Sequence, residues 1–172
     1  MTYKTKLAHI ELFAFDYDGV FTDGLVQIMS DGSQIRQVST RDGFAVQWAV
    51  KQGLKIALLT GGNEEAVIRR MEKLGVDEVY IKCVDKLVSL KALCNKLQIP
   101  LDKVAYMGDD IPDIIAMKEV GLAVCPYDAV KEVRNIAHYI SPKGGGKGCV
   151  RDLLEQAMRL KGVWDIENAH KW

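Results

Sequence analysis

Short apolar segments alternate with longer amphipathic segments along most of this chain. Six apolar segments have the length and composition of strands, at residues 11–16, 55–60, 78–82, 103–108, 122–125 and 138–141. The segments between and after them repeat apolar residues at helical spacing, at residues 43–53, 63–75, 85–99, 111–121, 128–137 and 149–162. Strands that alternate with helices form a parallel sheet through right-handed crossovers. The sequence therefore predicts an α/β fold with a doubly wound, Rossmann-like parallel sheet.

One segment interrupts this alternation. Residues 25–39 contain two strand-like runs around Asp31-Gly32, a dipeptide typical of tight hairpin turns. We expect a β-hairpin flap that projects over the carboxyl edge of the sheet. No insertion is long enough for a cap domain, and all 172 residues are expected to form one domain that ends in a glycine-rich loop, a helix and a polar tail at 143–172. Within the helical segments, Asn63 is expected to cap the second helix and Gly75 to end it.

Composition argues against several classes of partner. Basic and acidic residues number 23 each, so the net charge of zero predicts no attraction to nucleic acid or to an anionic membrane. No apolar run approaches the roughly 20 residues that a membrane span requires, and the first residues do not resemble a signal peptide. The four scattered cysteines lack a C-x-x-C pair, which favours reduced thiols in a cytoplasmic protein.

The first strand ends in an electrostatically unfavourable pair of residues, Asp16 and Asp18. Residues two apart on a strand point to the same side, so both carboxylates face one way. Like charges at that distance repel, and one carboxyl would stay protonated unless a cation lies between them. The pair therefore predicts a cation at the end of the first strand.

Other polar and glycine residues follow the ends of the later strands. They are Thr60, Gly61, Gly62, Lys86, Asp109, Asp110 and Asp113. Because ligands of a doubly wound sheet bind at the carboxyl ends of its strands, we expect these groups to assemble around one site. Clustered carboxylates suit Mg²⁺, whereas a lysine and a hydroxyl beside glycine turns suit a phosphoryl group. Asp110 or Asp113 can instead simply cap the helix at 111–121.

At these residues the sequence resembles the haloacid dehalogenase superfamily of phosphotransferases. Four of its motifs occur in order and cover nearly the whole chain: DYDGVFTDG from Asp16, LLTGG ending at Gly62, the single residue Lys86, and GDDIPD from Gly108. The hairpin, the sequence TRDG at 40–43 and the late GGGKG are similar to the capless branch of that superfamily. The resemblance implies an α/β phosphomonoester hydrolase that uses Mg²⁺ as its cofactor.

The resemblance also implies roles for individual residues. Asp16 would be the nucleophile, through an aspartyl-phosphate, and Asp18 the general acid and base. Thr60 and Lys86 would hold the phosphoryl oxygens. The residues implied as metal ligands are Asp16, Asp18 through its backbone carbonyl, and Asp109. Those implied to orient Lys86 or metal-bound water are Asp110 and Asp113.

For the substrate, the capless branch implies a small sugar-acid phosphate, 3-deoxy-D-manno-octulosonate 8-phosphate of lipopolysaccharide synthesis, with a nine-carbon keto-acid 9-phosphate as the alternative. Many of the eight-carbon enzymes carry arginine where this chain has Gly62. The candidate substrate-binding residues are Arg41, Arg70, Gly61 and Gly62. Arg41 begins a helix, where anions are favoured, but it can equally pair with Asp42. Arg70 resembles a substrate-contacting arginine of the family, or simply belongs to a solvated helix face.

The sequence also leaves two other functional classes open, and it leads to an expectation about the oligomeric state. The chain can be a receiver-type phosphoacceptor module, or a catalytically idle scaffold domain, although an idle site has no need for repelling carboxylates. The apolar residues of the flap, which include Leu25, Ile28 and Ile35, cannot be buried by an isolated ribbon. We therefore expect a homotetramer, as in the capless branch, in which neighbouring flaps close the site and residues 143–148 reach its rim.

Overall fold

The computed structural model describes residues 2–171 of the chain. Its strands, numbered along the chain, are β1 (Leu12–Phe15), β2 (Gln27–Ile28), β3 (Gln34–Ile35), β4 (Lys55–Leu59), β5 (Glu78–Tyr80), β6 (Val104–Met107), β7 (Leu122–Cys125) and β8 (Tyr139–Ile140). Its α-helices are α1 (Tyr3–Ala8), α2 (Thr40–Lys51), α3 (Glu65–Lys73), α4 (Lys86–Leu97), α5 (Ile114–Glu119), α6 (Lys131–Ile136) and α7 (Cys149–Leu160).

Six of the strands form one parallel sheet in the order β5-β4-β1-β6-β7-β8. The sheet is parallel and doubly wound, as predicted, and the strand order reverses between β1 and β6. The crevice at such a reversal is the usual ligand site of these folds. The order differs from the 2-1-3-4-5 order of flavodoxin-like receiver modules, which is an observation against the receiver interpretation.

Both faces of the sheet are covered, as its apolar strands require. Phe13 and Phe15 of β1 contact the core formed with α1, α2, α3 and α7. Leu12 and Ala14 contact the opposite core, formed with α4, α5 and α6. Side chains of a strand alternate between its faces, so a strand buried on both faces is a continuous apolar run. No cap domain is inserted between these elements in the part of the chain that the structure describes.

Besides shifts of up to three residues at the helix ends, the helices differ from the predicted segments in three respects. Helix α1 was not predicted, because it has only six residues; Thr2 caps it and Leu7 anchors it in the core. Segment 111–121 is divided into a 3₁₀ turn (Ile111–Asp113) and α5. The prediction that Asn63 caps the second helix is wrong. Glu64 occupies the cap position of α3 and makes no capping hydrogen bond, because its carboxylate pairs with Arg36 at 3.0 Å.

Strands β2 and β3 form the predicted hairpin, although each has only two residues. Its turn is stabilised by Asp31, whose carboxylate accepts hydrogen bonds from the N–H and hydroxyl of Ser33. From residue 23 to residue 38 every residue except Arg36 is exposed. Leu25 and Ile28 have 72% and 74% of their surface exposed, so the flap carries apolar surface that its own chain leaves uncovered.

The cysteines and the helix lengths agree with the sequence analysis. Within residues 2–171, all four cysteines are free thiols, and three of them are buried. None of the helices described is long and apolar enough to cross a membrane.

Candidate active site

The carboxyl ends of β1, β4 and β6 border a cleft of about 450 Å³. Most of the predicted site residues line it: Asp16, Asp18, Gly61, Gly62, Lys86, Asp109, Asp110 and Asp113. Thr60 lies buried directly after β4, beside this cleft. The structure therefore brings together the residues that four separate motifs contribute.

Lys86 lies between two carboxylates. Its Nζ is 2.8 Å from Oδ2 of Asp16 and 2.6 Å from Oδ1 of Asp113, and only 7% of its side chain is exposed. The lysine is the first residue of α4, which Asp85 caps by accepting the N–H of Val88. Burial by itself would lower the pKa of Lys86, but the two carboxylates outweigh burial and raise that pKa. The lysine therefore carries a fixed positive charge at the end of β1.

Asp113 is completely buried and has four hydrogen-bond donors around it. Its Oδ1 accepts from Lys86 and from the hydroxyl of Tyr106, and its Oδ2 accepts from the backbone N–H groups of Asp109 and Asp110. Asp110 is exposed, and its carboxylate accepts from the N–H of Ile111 in a capping box with Asp113. Asp113 is thus the residue that holds Lys86, while Asp110 caps the turn that follows β6.

Asp16 and Asp109 have raised pKa values. Burial, followed by repulsion from Asp113, raises the pKa of Asp16 to about 6, despite the opposing effect of Lys86. Burial, followed by repulsion from Asp16, raises the pKa of Asp109 to about 7. Within residues 2–171, the carboxylate of Asp109 accepts no hydrogen bond and forms no ion pair. A half-buried carboxylate without a partner is costly unless a cation compensates its charge.

A divalent cation fits this arrangement. One oxygen from each of Asp16, Asp109 and Asp113 lies within 4.8 Å of the others. Four donors already occupy the two oxygens of Asp113, whereas those of Asp109 are free. Asp16 and Asp109 are therefore the side chains best placed as ligands, and carboxylate oxygens are the donors that Mg²⁺ prefers.

Two glycines allow these carboxylates to approach the backbone closely. Gly19 has φ +80°, and a Cβ atom at this position would lie 2.0 Å from Oδ2 of Asp109. A Cβ atom at Gly108 would lie 2.3 Å from Cγ of Asp113. Any larger residue at these two positions would displace the carboxylate next to it.

Asp18 is held by two residues that the sequence analysis did not include. Its Oδ1 accepts from Nε of Arg36 at 2.8 Å and from the hydroxyl of Thr22 at 3.2 Å. Arg36 lies on the flap, and its Nη1 is 3.0 Å from Oε1 of Glu64. No residue pattern marks this contact, because the flap and Glu64 are far apart in sequence and meet only in the fold.

The segment from Thr60 to Gly62 forms a tight turn at the end of β4. The hydroxyl oxygen of Thr60 accepts from the N–H of Gly62 at 3.2 Å, and the carbonyl of Thr60 accepts from the N–H of Cys83. A Cβ atom on Gly62 would lie 2.7 Å from Oε2 of Glu64. Gly61 and Gly62 expose their backbone to the cleft.

The two candidate arginines lie outside the lining of the carboxylate cleft. Arg70 packs its guanidinium over α2, 2.4 Å from the position that a Cβ atom of Gly43 would occupy. Arg41 lines a separate cavity of about 470 Å³, which Lys143, Lys147 and α7 also border. The glycine-rich loop contacts the turn after Asp18, because the N–H of Gly146 donates to the carbonyl of Val20.

A family model described as haloacid dehalogenase-like hydrolase matches residues 76–150, which include Lys86 and the segment from Gly108 to Asp113 at the cleft. The 3-deoxy-D-manno-octulosonate 8-phosphate phosphatase of Salmonella typhi is 33% identical over 94% of this chain and 86% of its own length. The chain therefore belongs to the family of these phosphatases within the haloacid dehalogenase-like hydrolases.

Solved structures agree with this relationship. The 3-deoxy-D-manno-octulosonate 8-phosphate phosphatase of Moraxella catarrhalis, in complex with a magnesium ion, a phosphate ion and KDO, is 33% identical, with a TM-score of 0.93 over 99% of this chain and 98% of that chain. The cobalt-bound phosphatase of Haemophilus influenzae is 26% identical, with a TM-score of 0.90 over 97% of this chain and 99% of that chain. The resemblance that the sequence motifs indicated is confirmed.

Proposed function

We propose that this chain is a Mg²⁺-dependent phosphomonoester hydrolase that releases phosphate from 3-deoxy-D-manno-octulosonate 8-phosphate. One observation carries the proposal: Lys86 joins Asp16 to Asp113 in the cleft where the carboxylate of Asp109 has no partner. Relatives with this activity match 94% of the chain. The reaction would supply the free eight-carbon sugar acid for lipopolysaccharide synthesis.

Asp16 is the proposed nucleophile. Its Oδ2 pairs with Lys86, and its Oδ1 accepts the N–H of Tyr17 at 2.7 Å, so the carboxylate has a fixed orientation. In the first step a carboxylate oxygen attacks phosphorus in line, the bond between phosphorus and the sugar oxygen breaks, and an aspartyl-phosphate forms. In the second step water attacks phosphorus, inorganic phosphate leaves, and the carboxylate of Asp16 is regenerated.

Asp18 moves the proton in both steps. It donates a proton to the leaving sugar oxygen in the first step and takes a proton from the attacking water in the second. Its side chain suits this role, because 36% of it is exposed at the rim and its Oδ2 accepts no hydrogen bond from the described residues. Asp18 therefore regains in the second step the proton that it gives up in the first.

Lys86 and Thr60 hold the oxygens of the transferring phosphoryl group. Lys86 keeps its charge, since two carboxylates raise its pKa, and a positive charge fixed in place stabilises the charge that develops during transfer. Asp113 positions Lys86 and does not contact the phosphoryl group. Asp110 contributes indirectly, by capping the turn that follows Asp109 and contains Asp113.

The residues that would hold Mg²⁺ are Asp16 and Asp109 through their side chains and Asp18 through its backbone carbonyl. When bound, the ion neutralises negative charge on the transferring group and on the surrounding carboxylates. The phosphatase from Moraxella catarrhalis contains a magnesium ion, and the raised pKa values of Asp16 and Asp109 are the expected signature of carboxylates gathered around such a site.

Substrate selection is proposed to depend on the rim. Gly61 and Gly62 leave room for a ligand close to the backbone, beside the phosphoryl site. Arg70 and Arg41 lie outside the lining of the cleft, and their proposed role is to contact the sugar-acid part of the substrate and not its phosphate. We also propose a cytoplasmic location, where free thiols persist, and no nucleic-acid or membrane partner for a chain of zero net charge.

The proposed assembly is a homotetramer. Leu25, Ile28 and Ile35 are exposed on the flap, with 72%, 74% and 47% of their surface accessible. Packing flaps from several subunits together would bury these side chains and close the cleft against water. This proposal rests on the exposed apolar surface of the flap and on the resemblance to the capless branch.

The test is a comparison of phosphate release from the eight-carbon 8-phosphate and a nine-carbon keto-acid 9-phosphate, each with Mg²⁺ and with excess EDTA. We expect faster turnover of the eight-carbon ester, and none of either ester in EDTA. Preference for the nine-carbon ester would move the substrate to the alternative. Full turnover in EDTA, or no turnover of any ester, would contradict the hydrolase proposal itself.

A further inference from the structure

We infer that Arg36 is a positioning residue that holds Asp18 in the orientation required for proton transfer to the leaving group. The inference rests on the proposed function, because it assigns to Asp18 the role of general acid and base. It adds to the site a residue of the flap, a segment whose other proposed role is in assembly.

The first observation is the way in which Arg36 contacts Asp18. Nε of Arg36 donates to Oδ1 of Asp18 at 2.8 Å, and the hydroxyl of Thr22 donates to the same oxygen at 3.2 Å. Oδ2 of Asp18 accepts no hydrogen bond from residues 2–171. The two donors thus fix the carboxylate plane and leave one oxygen available to the substrate.

The second observation is that Arg36 is itself held. Its Nη1 pairs with Glu64 at 3.0 Å, and its Nη2 donates to Gln34 at 3.2 Å, so three of its donors are engaged. A guanidinium is a rigid planar fork, and engaging several of its donors fixes its orientation. Glu64 precedes α3 directly, only four residues after Thr60, which ties Arg36 to the phosphoryl end of the cleft.

The third observation is the exposure of the flap. Only 12% of the Arg36 side chain is exposed, while all other residues from 23 to 38 are exposed. Arg36 is therefore the side chain through which the flap contacts the site within one subunit. The same contacts would also anchor the flap, and the dependence of the rate on the leaving group distinguishes that role from a role in proton transfer.

The choice of leaving group distinguishes a role of Arg36 in proton transfer from a role in anchoring the flap. The alkoxide that leaves a sugar phosphate is strongly basic and needs the proton of Asp18, whereas p-nitrophenolate leaves without one. Misplacing Asp18 should therefore slow the first step, formation of the aspartyl-phosphate, for the sugar phosphate and largely spare that step for p-nitrophenyl phosphate. The second step needs Asp18 with either ester. Loosening the flap, by contrast, would affect both esters.

The experiment compares Arg36→Gln with wild type on both esters at saturating Mg²⁺. With the 8-phosphate we expect the first-turnover rate and kcat to fall roughly 10- to 100-fold and KM to change less than about threefold. The loss is smaller than the roughly 10²- to 10⁴-fold contribution of a positioned proton donor, because Arg36→Gln misplaces Asp18 without removing it. With p-nitrophenyl phosphate the rate of p-nitrophenolate release in the first turnover, measured by stopped flow, should change less than about threefold, since that step needs no proton. Arg36→Lys, which keeps one charged donor, should recover part of the loss, and Glu64→Gln should show a smaller loss on the 8-phosphate alone.

Arg69→Gln is the matched control, because Arg69 also pairs with a glutamate, Glu65, but both side chains are exposed on α3. This change should alter neither rate. The variants should fold, because Asp18 and Glu64 keep 36% and 30% of their side chains exposed, so water can solvate their carboxylates when Arg36 is replaced. Equal losses in the first step on both esters, or no loss on either, would overturn the inference while leaving the proposed function intact. If wild type hydrolyses neither ester, the proposed function fails and the inference fails with it.

Discussion

Asp113→Asn tests whether a buried carboxylate organises the site. The wild-type carboxylate accepts four hydrogen bonds, two on each oxygen. The amide of asparagine can accept on only one side, so its NH₂ group must face either Lys86 and Tyr106 or the N–H groups of Asp109 and Asp110. Whichever way the amide turns, two hydrogen bonds to a charged acceptor are lost.

The cost follows from these contacts. Each hydrogen bond to a charged group contributes about 1.5–3 kcal/mol, so losing two removes about 3–6 kcal/mol. Removing one partner of a buried ion pair costs about 3–5 kcal/mol, and the two figures describe the same contacts and are not added. If Tyr106 turns its hydroxyl to accept from the NH₂ group, the cost falls to the lower end. We expect about 3–4 kcal/mol less free energy of unfolding, together with a kcat lower by roughly tenfold or more because Lys86 is less well positioned.

The assay is urea unfolding followed by circular dichroism in EDTA, at equal protomer concentration because assembly shifts apparent stability. Asp110→Asn is the matched control. Asp110 is exposed and caps a turn, and asparagine caps as well as aspartate, so this change should stay below about 1 kcal/mol. An Asp113→Asn protein as stable as the control would refute the role given to Asp113.

Three further predictions concern the metal and the flap. Gly19→Ala should weaken Mg²⁺ binding, measured by calorimetry, roughly 10- to 100-fold, because the added Cβ atom would lie 2.0 Å from the carboxylate of Asp109. Gly32→Ala is the control and should leave the affinity unchanged, because Gly32 has a similar φ and its added Cβ atom would have no neighbour within 4 Å. Mg²⁺ binding should release protons, and its affinity should fall as the pH is lowered through about 7 and then about 6, because Asp109 and then Asp16 become protonated in those ranges. An affinity independent of pH would contradict this prediction. Ile28→Asp should dissociate the tetramer in light scattering and lower activity; an active, stable wild-type monomer would disprove the assembly.

The parts of the fold that the sequence predicts are those with continuous apolar character. Each of the six sheet strands lies within a predicted strand segment, and the parallel, doubly wound arrangement follows from the helices between them. Helix α1 escaped prediction because six residues carry too little periodicity. The hairpin was predicted from its turn dipeptide, and only the structure shows how little of it is strand.

The residues of the site likewise include some that the sequence predicts and some that only the structure shows. Asp16, Lys86 and Asp109 could be predicted, because each follows or approaches the end of a strand and such ends meet at one rim. The division of labour between Asp110 and Asp113 could not, since both lie near the start of one helical segment and only burial distinguishes them. Arg36 could not be predicted either, because its contacts with Asp18 and Glu64 depend on how the flap folds back.

The central claim is that Asp16 attacks phosphorus in this cleft, and phosphate release from 3-deoxy-D-manno-octulosonate 8-phosphate by wild type and by Asp16→Asn tests it most directly. Wild type should turn over repeatedly with Mg²⁺, which neither a receiver module nor an idle scaffold would do. Asp16→Asn should keep its circular dichroism spectrum and release no phosphate above background. Substantial turnover by a folded Asp16→Asn protein would contradict the covalent mechanism, and no turnover by wild type would contradict the function.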